Sequence, residues 1–288
     1  MNELFQLLAG TITMRPYVFA FLAAYLIAAV CHLGWRKTFY FTVVGYLIAF
    51  ASEYCSIHTG FPYGWYYYID TTSARELWVA GVPFFDSLSY VFLTYCSYAT
   101  ALLVISPIKA WRWNLVSLET RRIRKSLSVL FLGSLFQVFL DIIIDPTALQ
   151  GHRWFLGQIY GYKKAGIHFG VPLSNYIGWW LVSLLLVAAL QIIDAKVKEK
   201  YSGVSRLKTV PFSSLFGPAL YLSVILFNLV IAFLIGERLL ALTGIFIYTL
   251  PIAIVTILMI NRANRYGREE LADHLRDYPF SAASGRKL

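Results

Sequence analysis

The chain has 288 residues, 58% of them apolar and only 14% charged, with a formal net charge of +10 and a mean hydropathy of +0.62. A water-soluble domain carries roughly 25% charged residues, so this composition excludes one and indicates a membrane protein. The excess positive charge lies in loops, where it suits anionic lipid head groups and gives no reason to expect a nucleic-acid partner.

Seven apolar runs reach the roughly 20 residues that a membrane-crossing helix needs. The first, residues 14–31, follows a segment with Glu3 and no basic residue before Arg15. It lacks the positive start of a signal peptide and is read as a retained span. The second run, 38–57, carries Glu53 near its end, and an aromatic loop with Trp65, Tyr66, Tyr67 and Tyr68 follows. The third, 82–105, opens on Gly81-Val82-Pro83 and carries Asp86 one turn in. A basic loop, 111–125, leads to the fourth run, 126–144. It closes on Asp141 and Asp145, and Pro146 is expected to stop the helix. A second aromatic loop holds Trp154, Phe155, Tyr160 and Tyr162. The fifth run, 172–193, opens on Gly170-Val171-Pro172 and carries Asn175 and Trp179. A polar linker, 196–208, precedes the sixth and seventh runs, 214–235 and 239–260. In the charged tail a short surface helix is expected over 269–276, then a disordered end.

The expected fold is therefore all-α: a polytopic bundle of about seven transmembrane helices over residues 1–260, with a basic tail over 261–288. Two units, about 38–107 and 126–193, repeat one pattern of apolar helix, acid, aromatic loop, Gly-Val-Pro-x-x-Asp/Asn and apolar helix. Repeats of this kind in membrane proteins often place a site at their interface. On a seven-span topology six of the 25 Lys and Arg residues fall on one face and nineteen on the other. The positive-inside rule then puts the N-terminus outside and the C-terminus in the cytoplasm of a cell membrane.

Ionisable groups inside spans are expensive and are functional candidates. Glu53, Asp86, Asp141 and Asp145, with Asn175, converge at similar depth on one side of the membrane. Asp141 and Asp145 share a helix face at i, i+4 spacing. Two carboxyls in one apolar site cannot both ionise cheaply, so one is expected to stay protonated and able to donate. The alternative is that these acids pair with Arg75, Arg153 or Lys163, or cap helices. No histidine pair has the spacing of a di-iron oxygenase. Cys31, Cys55 and Cys96 have no metal-like spacing and are read as packing residues. The Asp141-x-x-x-Asp145 spacing also fits magnesium–diphosphate binding in a membrane prenyltransferase, although the counterpart around Glu53 has a single acid.

Glu53, the Thr59-Gly60-Phe61-Pro62-Tyr63-Gly64 turn, Tyr66 to Tyr68, Gly81-Val82-Pro83, Asp145-Pro146, Trp154 and Gly170-Val171-Pro172-x-x-Asn175-Tyr176-x-Gly178-Trp179 together resemble the integral-membrane carotenoid hydratase family. The resemblance implies addition of water across the terminal 1,2 double bond of an acyclic carotenoid end, without a cofactor or metal. It implies a carotenoid substrate taken from the bilayer and association with other carotenoid enzymes. The residues supply suitable parts. Asp141 or Asp145 would donate the proton, with Glu53 and Asp86 ordering water. Trp65, Tyr66 and Trp154 would stabilise a tertiary cation, Tyr67 and Trp179 would complete the substrate site, and Asn175 would hydrogen-bond an acid. A lycopene cyclase shares the acid-first step and differs in what captures the cation. A non-catalytic lipid transporter or receptor is the reading from another class.

Overall fold

The computed structural model describes residues 3–111, 114–198, 210–279 and 281–284. Its α-helices in chain order are α1 (Glu3–Met14), α2 (Pro16–Leu33), α3 (Trp35–Thr59), α4 (Phe84–Ile105), α5 (Arg121–Arg124), α6 (Leu127–Leu149), α7 (Leu173–Lys196), α8 (Phe216–Leu234), α9 (Arg238–Arg262) and α10 (Arg268–Asp277). Seven of them, α2, α3, α4, α6, α7, α8 and α9, are long and apolar enough to cross a bilayer. The chain is a multi-pass, all-α membrane protein. Helix α4 is its axis: 17 of its 22 residues are buried, and α2, α3, α6, α7, α8 and α9 all pack against it.

The loops carry three short antiparallel ribbons. Strand β1 (Tyr66–Tyr68) pairs with β6 (Tyr160–Tyr162), β2 (Trp78–Val79) with β3 (Val82–Pro83), and β4 (Ile108–Trp111) with β5 (Asn114–Ser117). The Gly-Val-Pro repeat has a backbone cause. In the first copy Ala80 and Gly81, with φ of 47° and 81°, form the two-residue loop between Val79 and Val82. In the second, Phe169 and Gly170, with φ of 49° and 88°, turn the chain between His168 and Val171. Positive φ at both loop positions is the tight-hairpin pattern that favours glycine. Each hairpin ends on a proline, Pro83 or Pro172, which sits as the extended residue before α4 or α7. One turn later the same register delivers Asp86 or Asn175.

Pro146 does not stop its helix; α6 runs on to Leu149. A proline inside a helix leaves the carbonyl four residues back without a donor. Here that carbonyl, Ile142, accepts from His168 Nε2 at 3.1 Å, so the second hairpin supplies what the proline withholds.

The end of the bundle opposite the aromatic loops is also more ordered than a run of basic residues suggests. The stretch expected as a loop, 111–125, contributes β5 and α5, and Arg124 is buried there. It donates to Glu119 at 2.7 Å and to Asp194 at 3.2 Å. Glu119 also meets His32 at 2.9 Å, and Asp194 meets Lys37 at 2.7 Å. The expected surface helix is α10, and its His274 is buried, bonded to the Glu119 carbonyl and to Ser281. Residues 281–284, expected to be disordered, include a 3-10 turn whose Ala283 carbonyl accepts from Lys109 Nζ at 2.7 Å. The rest of that end, 285–288, and linker residues 199–209 lie outside the described residues.

Candidate functional site

At the end of the bundle carrying the aromatic loops lies a cavity of about 110 Å³. Glu53 from α3, Asp86 from α4, Asp145 from α6 and Asn175 from α7 all line it. The four helices of the two repeat units thus each send one polar side chain to the same space. Asp141 stands behind this wall, fully buried, and reaches the others through Asn175 and Asp145.

The tyrosines form an arch over the acids. A strand turns alternate side chains to opposite faces, and the register sets Tyr66 opposite Tyr162 and Tyr68 opposite Tyr160. All four rings therefore face the cavity. The odd position pairs Tyr67 with Gly161, and Tyr67 points away, 48% exposed. Trp65 falls on the outward side for the same reason. It is 47% exposed and stacks under Lys163, with Nζ 4.1 Å from its ring centroid. Trp65 and Tyr67 are thus not brought into the cavity; Tyr66, Trp154, Asn175 and Trp179 are. Trp154 donates its Nε1 to the Thr147 carbonyl at 3.1 Å. Trp179 stacks on Tyr90 with centroids 4.5 Å apart. The close fit of this wall depends on Gly178: a Cβ there would lie 2.6 Å from the Pro62 carbonyl oxygen.

Donors are distributed unequally among the acids. Asp145 accepts from Tyr160 at 2.9 Å, Tyr162 at 2.6 Å and Asn175 at 2.6 Å. Asp141 accepts from Asn175 at 2.8 Å and lies within direct hydrogen-bond reach of Asp145, so these two carboxyls can hold a proton between them. Asp86 accepts from Tyr68 at 2.7 Å, with Tyr66 behind it at 3.5 Å. Glu53 accepts from Ser87. Burial first, and then the neighbouring carboxyls, push the Tyr66, Tyr68, Tyr160 and Tyr162 phenols well up, so they remain O–H donors.

No ion pair among the described residues includes any of the four acids. Of the cations expected as alternatives, Arg153 is engaged with Glu237 and the Ile235 carbonyl and Lys163 with Trp65, and Arg75 makes no ion pair with these acids among the described residues. The buried cation nearby is Arg15, and Glu76 holds it, at 2.9 and 2.7 Å. That pair, with the Leu156 carbonyl as a further acceptor, ties the start of α2 to both aromatic loops. Four carboxyls in one low-dielectric space with no cation bonded to any of them cannot all be charged, so the cluster carries exchangeable protons. Among the described residues no group of three or more His, Cys, Asp or Glu is placed to hold a metal ion.

From the sequence Tyr63, Tyr68, Tyr160 and Tyr162 stand out as rings of the aromatic loops but not as named site residues, and Tyr90 does not stand out. The signal available was the period-two spacing of Tyr66 with Tyr68 and of Tyr160 with Tyr162. Ser87 and Asn228 had no signal at all.

A family model described as "Carotenoid biosynthesis protein" matches residues 7–251. No curated protein and no solved structure is significantly similar to the chain.

Proposed function

The chain belongs to the carotenoid biosynthesis protein family, and from that membership we propose that it adds water across the terminal 1,2 double bond of an acyclic carotenoid end. The observation carrying this reading is the cluster of unpaired carboxyls beneath a tyrosine arch, open to an apolar cavity. Protonation of the alkene at C2 leaves a tertiary cation at C1. Water adds at C1, the oxonium gives a proton to a carboxylate of the cluster, and transfer of that proton within the cluster back to the donor resets the acid, so no redox group is needed.

Donor counting distributes the roles. Asp145 receives three hydrogen bonds, which suits a carboxylate that stays charged. Facing the cavity, it would stabilise the cation and take the proton from the incoming water. Glu53 and Asp86 have two donors between them, Ser87 on Glu53 and Tyr68 within reach of both, and they are close enough to feel each other's charge. A pair so sparsely supplied with donors suits a shared proton, so we assign the acid to Glu53 and Asp86. This reverses the order that i, i+4 spacing alone suggests, in which Asp141 or Asp145 donates. Asp141 becomes a positioning residue that holds Asn175. Tyr66, Tyr90, Trp154 and Trp179 offer ring faces to the cation.

Two measurements test the reading in membranes given lycopene. The product should gain the mass of one water, and in heavy-oxygen water it should carry the label. Unchanged mass with altered absorption would replace hydration by cyclisation. Label arriving from molecular oxygen would overturn acid catalysis altogether.

A further inference from the structure

The cavity has a second, apolar pole. Away from the acids its wall is made by Tyr17 and Phe21 of α2, Phe227 of α8, and Trp154 from the loop after α6. Tyr17 stacks on Phe227 at 5.3 Å, and Phe21 meets Phe227 edge-on at 5.5 Å. Phe155 closes the group from outside. It packs on Tyr17 at 5.3 Å and Trp154 at 5.0 Å, and it is 54% exposed. Rings make most of the wall on this side, with Val18 of α2 and Val224 and Asn228 of α8 beside them. Elsewhere α2 and α8 are ordinary membrane helices; Leu226, beside Phe227, is 61% exposed.

This arrangement meets a geometric need. A forty-carbon acyclic polyene is longer than the hydrocarbon core of a bilayer is thick, about 30 Å. Only its end can reach the acids, and the remainder has to leave through a wall. The Tyr17, Phe21 and Phe227 rings part by side-chain rotation and break no backbone hydrogen bond, while Trp154 stays tied to the Thr147 carbonyl. The opposite cavity surfaces lack this property, because there the acids are bonded to the arch and to Asn175.

We infer that the aromatic seal between α2 and α8 is a lateral portal, binding the conjugated chain of an acyclic polyene while its end lies at the acids. The inference rests on the substrate class of the proposed function but not on hydration. The portal grips the chain and leaves the far end in the bilayer. One end is therefore handled per visit, whatever group the other end carries.

The test is polyene retention by the full-length protein purified in detergent from a lycopene-producing host. Hydration of an isolated terminal double bond leaves the chromophore intact, so absorbance counts substrate and product alike. Phe227→Trp overfills the seal, and overpacking of about 1–3 kcal/mol corresponds to a loss of retained polyene of about five-fold or more. Leu226→Trp adds the same bulk on the lipid side and should retain wild-type amounts. Phe227→Ala, which opens the seal, should load added lycopene faster than wild type and serves if the Trp variant does not fold. Wild-type retention by Phe227→Trp, an equal loss in Leu226→Trp, or unchanged loading by Phe227→Ala would each overturn the portal. Mass analysis of the retained polyene judges hydration separately: a portal that holds unhydrated chain would stand while the hydration reading fell.

Discussion

At the scale of single residues the site is defined by how few donors reach some of its acids. If Glu53 and Asp86 share the reacting proton and Asp145 holds the cation, then Glu53→Gln, Asp86→Asn and Asp145→Asn should each lower turnover by about 10²-fold or more. Asp141→Asn should cost less, because Asp141 lies behind Asn175. Tyr162→Phe removes one of the three donors to Asp145 and should cost about ten-fold, the scale of one hydrogen bond to a charged group. Trp65→Ala should be nearly neutral, since that ring faces Lys163 rather than the cavity. Turnover in membranes with matched enzyme amounts decides. Full activity of both Glu53→Gln and Asp86→Asn would return proton donation to Asp141 and Asp145. The acids were legible in the sequence because charge inside an apolar run is conspicuous. Their ranking was not, because it depends on Tyr160 and Tyr162, which reach Asp145 across 15 and 17 residues. A three-residue strand is too short to announce which of its side chains turn inward.

At the scale of elements, two joints are open to measurement. The first is α6 at Pro146. His168→Ala leaves the Ile142 carbonyl without a donor and should destabilise the protein by about 1–3 kcal/mol. Adding Pro146→Ala returns a backbone N–H to that carbonyl and should recover part of the loss. Additive losses in the double variant, read from thermal unfolding in detergent, would rule out this linkage. The second joint is the docking of α10. Burial, as the largest influence, holds His274 below the ordinary histidine value, although the Glu119 carbonyl and carboxylate oppose that shift. Arg124, Asp277 and Tyr278 are its other titratable neighbours. A released tail then binds more protons than a docked one. Docking is complete above the usual histidine value of about 6.5 and weakens as pH falls below it. Burial also works against charge on Glu119, but His32 and Arg124 prevail and hold it well below the usual carboxylate range. Its contribution persists to stronger acid, so Glu119 does not account for a change just below the usual histidine value. Limited proteolysis of the tail should accelerate between pH 7.5 and 5.5, and His274→Ala should abolish the difference. A pH-independent cleavage rate would refute the docking switch. The seven spans were legible from length and hydropathy alone. These joints were not, because they rest on long-range hydrogen bonds between segments that look unrelated in sequence.

At the scale of the whole molecule, the two ends differ in what their charges do. Among the described residues thirteen basic residues belong to the end carrying α5 and α10 and six to the end carrying the cavity. On that count we propose that the C-terminus is cytoplasmic and the cavity external. A reporter fused after Leu288 should be cytoplasmic, and a tag inserted between the exposed residues Lys164 and Ala165 should be accessible from outside. An external reporter at the C-terminus would invert the assignment. Part of the count is not free charge, since Arg15 and Arg124 are buried in ion pairs. Removing one residue from each side leaves the asymmetry intact.

The pairing of β1 with β6 has a consequence in time. Tyr68 is made long before its partner: the chain must grow from residue 68 to residue 160 before the strand edge can be filled. Synthesis runs at roughly 5–20 residues per second, so the first copy of the repeat waits on the order of ten seconds with Tyr66 and Tyr68 unpaired. During that wait Glu53 on α3 and Asp86 on α4 have each other's helix beside them but no roof. The half of the site with the fewest hydrogen bonds is thus the half that is born first, and it becomes a closed chamber only when the later half arrives.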